Sequence, residues 1–265
     1  MIPFFRKIRK KIADDNKPMK YMRYAIGEII LVVIGILIAL QINNWNQQRK
    51  DHIKLRSNLI EIKASLENDL KLINASEATL DSYENSGTYL LNFLSDISVA
   101  VDSTQLKSSF LSAGLFIDFS LNSVPYEKLA KENILELIKN DSIITSLSNF
   151  YKKYDSEKLD IGSNQNQNLI DYRDYSTSFT DPFTIRNAFI FFLKENYGVN
   201  FEAYNSIKFS YDTMEVNWNK MKSDKKFQTI LDKVIIGRWS NRMQFYQMKA
   251  DISNLLKMLD MELEK

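Results

Sequence analysis

Chemistry needs convergent side chains, and this chain offers few candidates. It has one histidine, His52, and no cysteine in 265 residues. A lone imidazole cannot build a His-based metal cluster. Without thiols there is no zinc–thiolate site, iron–sulfur cluster, disulfide or lipidated cysteine. His52 falls in a helical stripe just after an apolar segment, where it reads as half-buried or interfacial. The sequence contains no P-loop, G-x-G-x-x-G, EF-hand loop or G-x-S-x-G elbow.

Carboxylates are abundant but scattered. Glu127, Glu132 and Glu136 share one helix face with Lys128 and Lys131 interleaved, the pattern of a solvated surface rather than of an acid/base or metal site. Arg238, Trp239 and Arg242 form a cation–aromatic group near the C-terminus, either a recognition patch or a stacked structural cluster. Asn74-Ala75-Ser76 and Asn140-Asp141-Ser142 fit the glycosylation acceptor pattern, which is too short to be informative. The expectation is a non-enzymatic protein with no catalytic residue, cofactor or metal.

The elements that would carry these residues begin with an apolar run. Ile29–Leu40 is unbroken, and extended to 24–44 it holds one charge, Glu28, with the amides Gln41, Asn43 and Asn44 at its far end. A membrane helix needs roughly 20 apolar residues. Tyr21 and Tyr24 before the run and Trp45 after it match two interfacial aromatic belts. Glu28 sits in the first turn, where a carboxylate suits the helix dipole and can reach headgroups or Arg23, or else acts as an intramembrane functional group. Gly27, Leu31, Gly35 and Ala39 share a face, and Gly35-x-x-x-Ala39 is a small-xxx-small pattern able to pack against a second helix.

Charge sets the orientation. Residues 1–24 carry eight Lys/Arg against two Asp, while the remainder carries 27 Lys/Arg against 31 Asp/Glu. Eight cations precede the span, and only Arg49, Lys50, Lys54 and Arg56 follow it closely. The positive-inside rule then predicts a cytoplasmic tail at 1–23, a transmembrane helix at 24–44 and an extracytoplasmic domain at 45–265. In a Gram-negative cell this is an inner-membrane protein with a periplasmic domain. Leu37–Gln41 lacks a small-x-small cleavage pattern, so the segment reads as an uncleaved signal anchor. Phe5, Ile8 and Ile12 among basic residues suggest a helix lying on the inner leaflet, or else a disordered charged tail. The mildly acidic body excludes nucleic acid as a partner.

Beyond Trp45 the apolar residues recur at helical spacing. Leu55, Leu59, Ile62, Leu66, Ile73 and Leu80 form a heptad-like seam, with His52 and Asp69 in the stripe. No Gly or Pro interrupts residues 41–86, so the membrane helix is expected to run on outward. The seam serves either a coiled-coil dimer or an intramolecular bundle. A matching partner exists at 224–262, where Phe227, Leu231, Val234, Phe245, Met248, Ile252, Leu255 and Leu259 mark an apolar face. The two long helices would pair antiparallel and return the C-terminus towards the membrane. Shorter helices are expected between them. One is capped by Asp102 and ends near Gly114. One opens at Pro125, with Leu129, Ile134, Leu137 and Ile138 inward. One covers 143–154. One opens at Asp181-Pro182 and stops at Gly198. The amides at 164–168 form a mobile connection or a solvated helix face. Phe189–Leu193 is apolar all round and is expected at the centre of the core. The fold class is all-α.

The stretch YAIGEIILVVIGILIALQINNWN from Tyr24 to Asn46 resembles the N-terminal signature of the DUF6090 family, single-pass membrane proteins of unknown function from Bacteroidota. Pro125-Tyr-Glu-Lys-Leu129, Leu137-Ile-Lys-Asn-Asp141 and Phe150-Tyr151 are similar to that family's mid-domain pattern. Where the family places a Gly-containing turn after Leu129, this chain has Ala130-Lys-Glu-Asn133. The resemblance implies topology and source, and no activity. It also singles out polar choices that a generic anchor does not require. Gly27, Glu28, Gly35, Ala39, Asn43, Asn44 and Trp45 are therefore the candidate contacts with a membrane partner. The expected function is an anchored interaction or scaffold component of the envelope, binding the bilayer and an envelope protein or itself. The alternative is a small-ligand sensor relaying through a membrane partner.

Overall fold

A computed structural model describes residues 18–97, 101–117, 119–154, 163–197 and 209–264. The basic tail with Phe5, Ile8 and Ile12, and the stop at Gly198, lie outside the described residues, as do the side chains of Tyr21, Arg23 and Tyr24. The described residues are helical, with no strand among them. The chain divides into two compact units, one ending at Ser57 and the other beginning at Asn58.

Helix α1 runs Pro18–Leu94. Its N-terminal part is long and apolar enough to cross a membrane, and none of that apolar stretch is buried. Nothing in the sequence stops the helix there, because no Pro follows Pro18 in that stretch and the modest cost of its β-branched Ile and Val residues does not break a helix. The helix also passes straight through Gly87. A Cβ there would sit 3.1 Å from Cγ1 of Ile235, so Gly87 serves close approach of a second helix rather than termination.

The unit beginning at Asn58 is a bundle. From Leu59 onward the predicted seam is buried within this one chain, with Ile62, Leu66, Ile73 and Leu80 in the core. Its partner is α8, Lys225–Leu263, whose first turn is capped by the Asp224 carboxylate accepting from Phe227 N. Lys63 meets Asp260 at 2.5 Å, Glu77 meets Lys249 at 2.5 Å, Arg242 meets Asp81 and Glu84 at 2.5 Å, and Gln228 donates to Leu94 O at 3.3 Å. As one number rises the other falls, so the two long helices are antiparallel. Each exposed ion pair contributes little, but together they set the register.

The short helices fill the sides. They are α2 Ser103–Ser112, capped by Asp102; α3 Val124–Lys131, with Pro125 in its first turn; and α4 Asp141–Lys153, capped by Asn140. Then come α5 Ser163–Ser176, α6 Pro182–Tyr197 and the short α7 Trp218–Ser223. The amides at 164–168 therefore begin a helix. After α3 the chain turns at Asn133, which takes φ 54° and does with an asparagine what a glycine would do at a left-handed position. A 3₁₀ turn at Ile134–Leu137 follows, so the inward-facing residues predicted on one helix are split between two pieces.

One core expectation is corrected. Phe189 is 42% exposed, Ile190 and Phe191 are half-buried, and the side chains of Phe192 and Leu193 lie outside the described ones. The centre belongs instead to Phe110, Tyr172, Phe179 and Phe227 from α2, α5, the turn after it and α8. These rings fill the interior, and α6 packs beside α2 with Ala188 as its buried contact.

Candidate functional site

The residues singled out for membrane contact are spread along α1. Gly27, Glu28, Gly35, Ala39, Asn43, Asn44 and Trp45 are all exposed, and a Cβ at Gly27 or Gly35 would meet nothing within 4 Å. His52 is exposed on the same helix. Glu127 and Lys131 pair at 3.7 Å on an exposed helix end.

Arg238, Trp239 and Arg242 split by face. Arg238 is 3% exposed. Its guanidinium donates to Tyr83 O, to Ala113 O at 2.7 Å and to Leu115 O at 3.2 Å, and lies 5.6 Å from the Tyr83 ring. It thereby caps the carbonyl end of α2, where helix groups lack internal partners. Burial pulls its pKa down to about 10, which still leaves it charged at neutral pH. Trp239 and Arg242 face outward and both bond Glu84, through Nε1 at 2.8 Å and Nη2 at 2.5 Å. The group is structural at Arg238 and a surface feature at Trp239.

Trp239 belongs to an apolar stripe that sequence reading missed. Ile236, Trp239, Met243 and Tyr246 are 50–68% exposed and follow one another at three-, four- and three-residue steps. They lie on the face of α8 opposite Arg238, Phe245 and Met248. The spacing was visible in the sequence. Because α8 is apolar on both faces, only the fold shows which face is left to solvent.

A cavity of about 320 Å³ opens between α2, α5 and α6. Phe110, Leu111, Leu115, Phe116, Ile185, Ala188 and Phe189 supply its apolar wall, with Arg173 and Arg186 as its only charged members among the described residues. Gly114 permits its tight floor, since a Cβ there would sit 3.1 Å from the Tyr172 ring. Tyr172 is locked by donating to Phe110 O at 2.7 Å. The wall comes from four separate stretches of chain, and no local pattern announces it.

One buried polar pair lies in the lower bundle. Asp69 is 1% exposed, and its Oδ1 accepts from Asn122 N at 3.3 Å. Its Oδ2 and the Tyr151 hydroxyl have no hydrogen-bond partner among the described residues. Tyr151 stacks on Tyr126 at 4.5 Å. Burial, then the Asp69 charge, pushes the Tyr151 hydroxyl above its ordinary range. Burial likewise raises the Asp69 carboxyl. The unfolded chain then ionises Asp69 first as pH rises above about 4. Stability from this group is present at lower pH and is lost as pH rises through its folded pKa. In urea titrations at pH 4 and pH 7, Asp69→Asn is expected to gain on the wild type between the two. An equal gap at both pH values would show that this carboxyl does not titrate with folding. Asp251 behaves oppositely. Burial works to raise it, but bonds from Lys153 at 2.8 Å and Tyr154 at 2.7 Å hold it below its ordinary range and tie α4 to α8.

Among the described residues no three His, Asp or Glu side chains are grouped to hold a metal ion. Residues 28–154 match the model of DUF6090, a family of unknown function. That span takes in most of α1 and runs through α4, including Asp69, Tyr126 and Tyr151. The α5 and α6 walls of the cavity and the whole of α8 lie beyond it. No curated protein and no solved structure matches the chain.

Proposed function

The chain is DUF6090-like over residues 28–154, and on that premise we propose that it is a membrane-anchored, non-enzymatic interaction protein of the cell envelope whose outer domain pairs with a second copy of itself. The apolar part of α1 is the anchor. The eight cations ahead of it put the N-terminus in the cytoplasm and residues 45–265 in the periplasm of the inner membrane.

The observation that carries the reading is the α8 stripe. Four large side chains, each at least half exposed, leave roughly 500 Å² of surface in one patch, a size that on monomers often marks a contact. A two-fold pairing buries about twice that, near the lower bound for a specific interface. Confinement to one bilayer raises the effective concentration of the copies, so a modest interface suffices. The residues between the stripe positions bring little net charge. Ser240 and Gln244 are neutral and Arg242 is already paired, so like-charge repulsion does not oppose self-pairing. Gly35 and Ala39 on the anchor allow close helix approach in the same assembly.

The absence of cysteine gives a clean test. Met243→Cys introduces the only thiol, and mild oxidation of intact membranes is expected to give a band of twice the chain mass. Lys131→Cys, at the exposed end of α3, should stay monomeric, and Trp239→Glu added to Met243→Cys should abolish the band. A heterologous adduct would keep the interaction reading and replace the partner. Absence of any adduct would sink it.

A second reading, a small-ligand sensor relaying through a membrane partner, is favoured by the cavity between α2, α5 and α6.

A further inference from the structure

This inference rests on the sensor reading of the cavity and is independent of the α8 stripe. We infer that the cavity takes the acyl chain of a single-chain amphipathic anion, with its charged end held by Arg173 and Arg186.

Size comes first. A volume of about 320 Å³ lies at the small end of ligand sites and holds roughly ten water-sized groups. A medium-length acyl chain fits that room, and a second chain does not.

The wall is mostly apolar. Three of its hydroxyls are already engaged with backbone. The Tyr172 hydroxyl donates to Phe110 O at 2.7 Å, Ser176 Oγ to Tyr172 O at 2.6 Å and Thr177 Oγ1 to Asp174 O at 2.6 Å. A sugar or amino acid buried there would lose most of its water hydrogen bonds, because beside the two arginines only the Ser112 and Tyr211 hydroxyls are left among the described lining residues to replace them. A hydrocarbon loses nothing and covers Phe116 and Phe189, which are 49% and 42% exposed.

Charge sets the polarity of the ligand. Arg173 and Arg186 line the cavity, and none of the described lining residues is Asp or Glu. The Arg173 guanidinium is held at the wall, 5.7 Å from the Phe116 ring, with Nε donating to Leu169 O at 3.4 Å. A carboxylate or phosphate end is favoured there, and an ammonium end is opposed. Both anions satisfy the same chemistry, one as a free fatty acid and the other as a single-chain phospholipid.

The test uses the full chain in zwitterionic lipid nanodiscs. A diazirine-bearing dodecanoate is photolysed with the protein, and adducts are mapped by peptide mass spectrometry, so background partitioning into lipid does not interfere. Saturable labelling is expected within residues 110–116 and 172–189. Unlabelled dodecanoate or dodecyl phosphate should compete about tenfold better than dodecanol, and the better of the two identifies the source. Arg173→Gln, at a half-buried position, with Arg186→Gln, at an exposed one, should weaken capture roughly tenfold, as loss of a charge-assisted contact does. Ala188→Phe should abolish labelling, and a retained circular-dichroism melt shows that it still folds. Equal competition by dodecanol, or indifference to the arginine substitutions, overturns the anion assignment while leaving a ligand-binding cavity. No saturable labelling at these residues overturns both.

Discussion

Arg238→Met is expected to destabilise the outer domain by about 2–4 kcal/mol, as for leaving two buried carbonyls without their donor. The side chain is 3% exposed and bonds carbonyls at Tyr83, Ala113 and Leu115, which come from α1 and from the end of α2. Methionine fills similar volume but donates nothing. The Ala113 and Leu115 carbonyls, which lie beyond the helix, would lose this donor, and the end of α2 would lose its counter-charge. For a domain of this size the melting midpoint should fall by roughly 10 °C. Arg238→Lys should fall in between, because a point-like ammonium cannot fork to several carbonyls at once. Circular-dichroism melts of the full chain check this. A methionine variant within about 1 kcal/mol of wild type would mean that water already serves these carbonyls.

Phe227→Ala is expected to cost about 3–5 kcal/mol, as for other fully buried rings. Phe227 is 0% exposed and has ring centroids at 4.9 Å (Phe179), 5.3 Å (Tyr172) and 6.4 Å (Phe110 and Tyr175). It therefore ties α2, α5 and the turn after α5 to the first turn of α8. A cavity there cannot collapse easily, because its walls belong to separate elements. Phe227→Leu should recover a large part of the loss by keeping most of the volume. Urea midpoints with an unchanged slope would confirm a loss of packing alone. A loss below ~1.5 kcal/mol for the alanine variant would mean that the ring cluster repacks around the gap. The total stability of a domain is typically 5–15 kcal/mol, so either substitution removes a large share.

Much of the architecture was legible because helices write their burial into local spacing. The seam Leu59–Leu80 and the face Phe227–Leu259 carry the 3.6-residue period, and both are buried as that period requires. The cap Asp102 was legible for the same local reason, since a side-chain oxygen satisfies an orphan N–H three residues on. Local pattern failed where a residue serves two purposes. Gly87 looks like an interruption and is a close-approach site. Phe189–Leu193 looks like core, yet Phe189 faces the cavity. Arg238, Trp239 and Arg242 read as one group, recognition patch or structural cluster, and the fold divides them, with Arg238 buried and Trp239 exposed.

By itself, the sequence determined the anchor-length apolar run, the helical class, the apolar faces of the two long helices and most helix starts, because each depends on residues within a few turns of one another; that those two faces meet antiparallel within one chain was decided by the tertiary structure. Only the tertiary structure decided which face of α8 is left to solvent, that Arg238 caps α2 from 125 positions away, and that residues from 110–116, 172–177, 182–189 and Tyr211 enclose a cavity. The physical reason is range. Periodicity and capping act over a few residues, whereas a cavity, a buried cation and an exposed stripe depend on how distant segments fill or leave space.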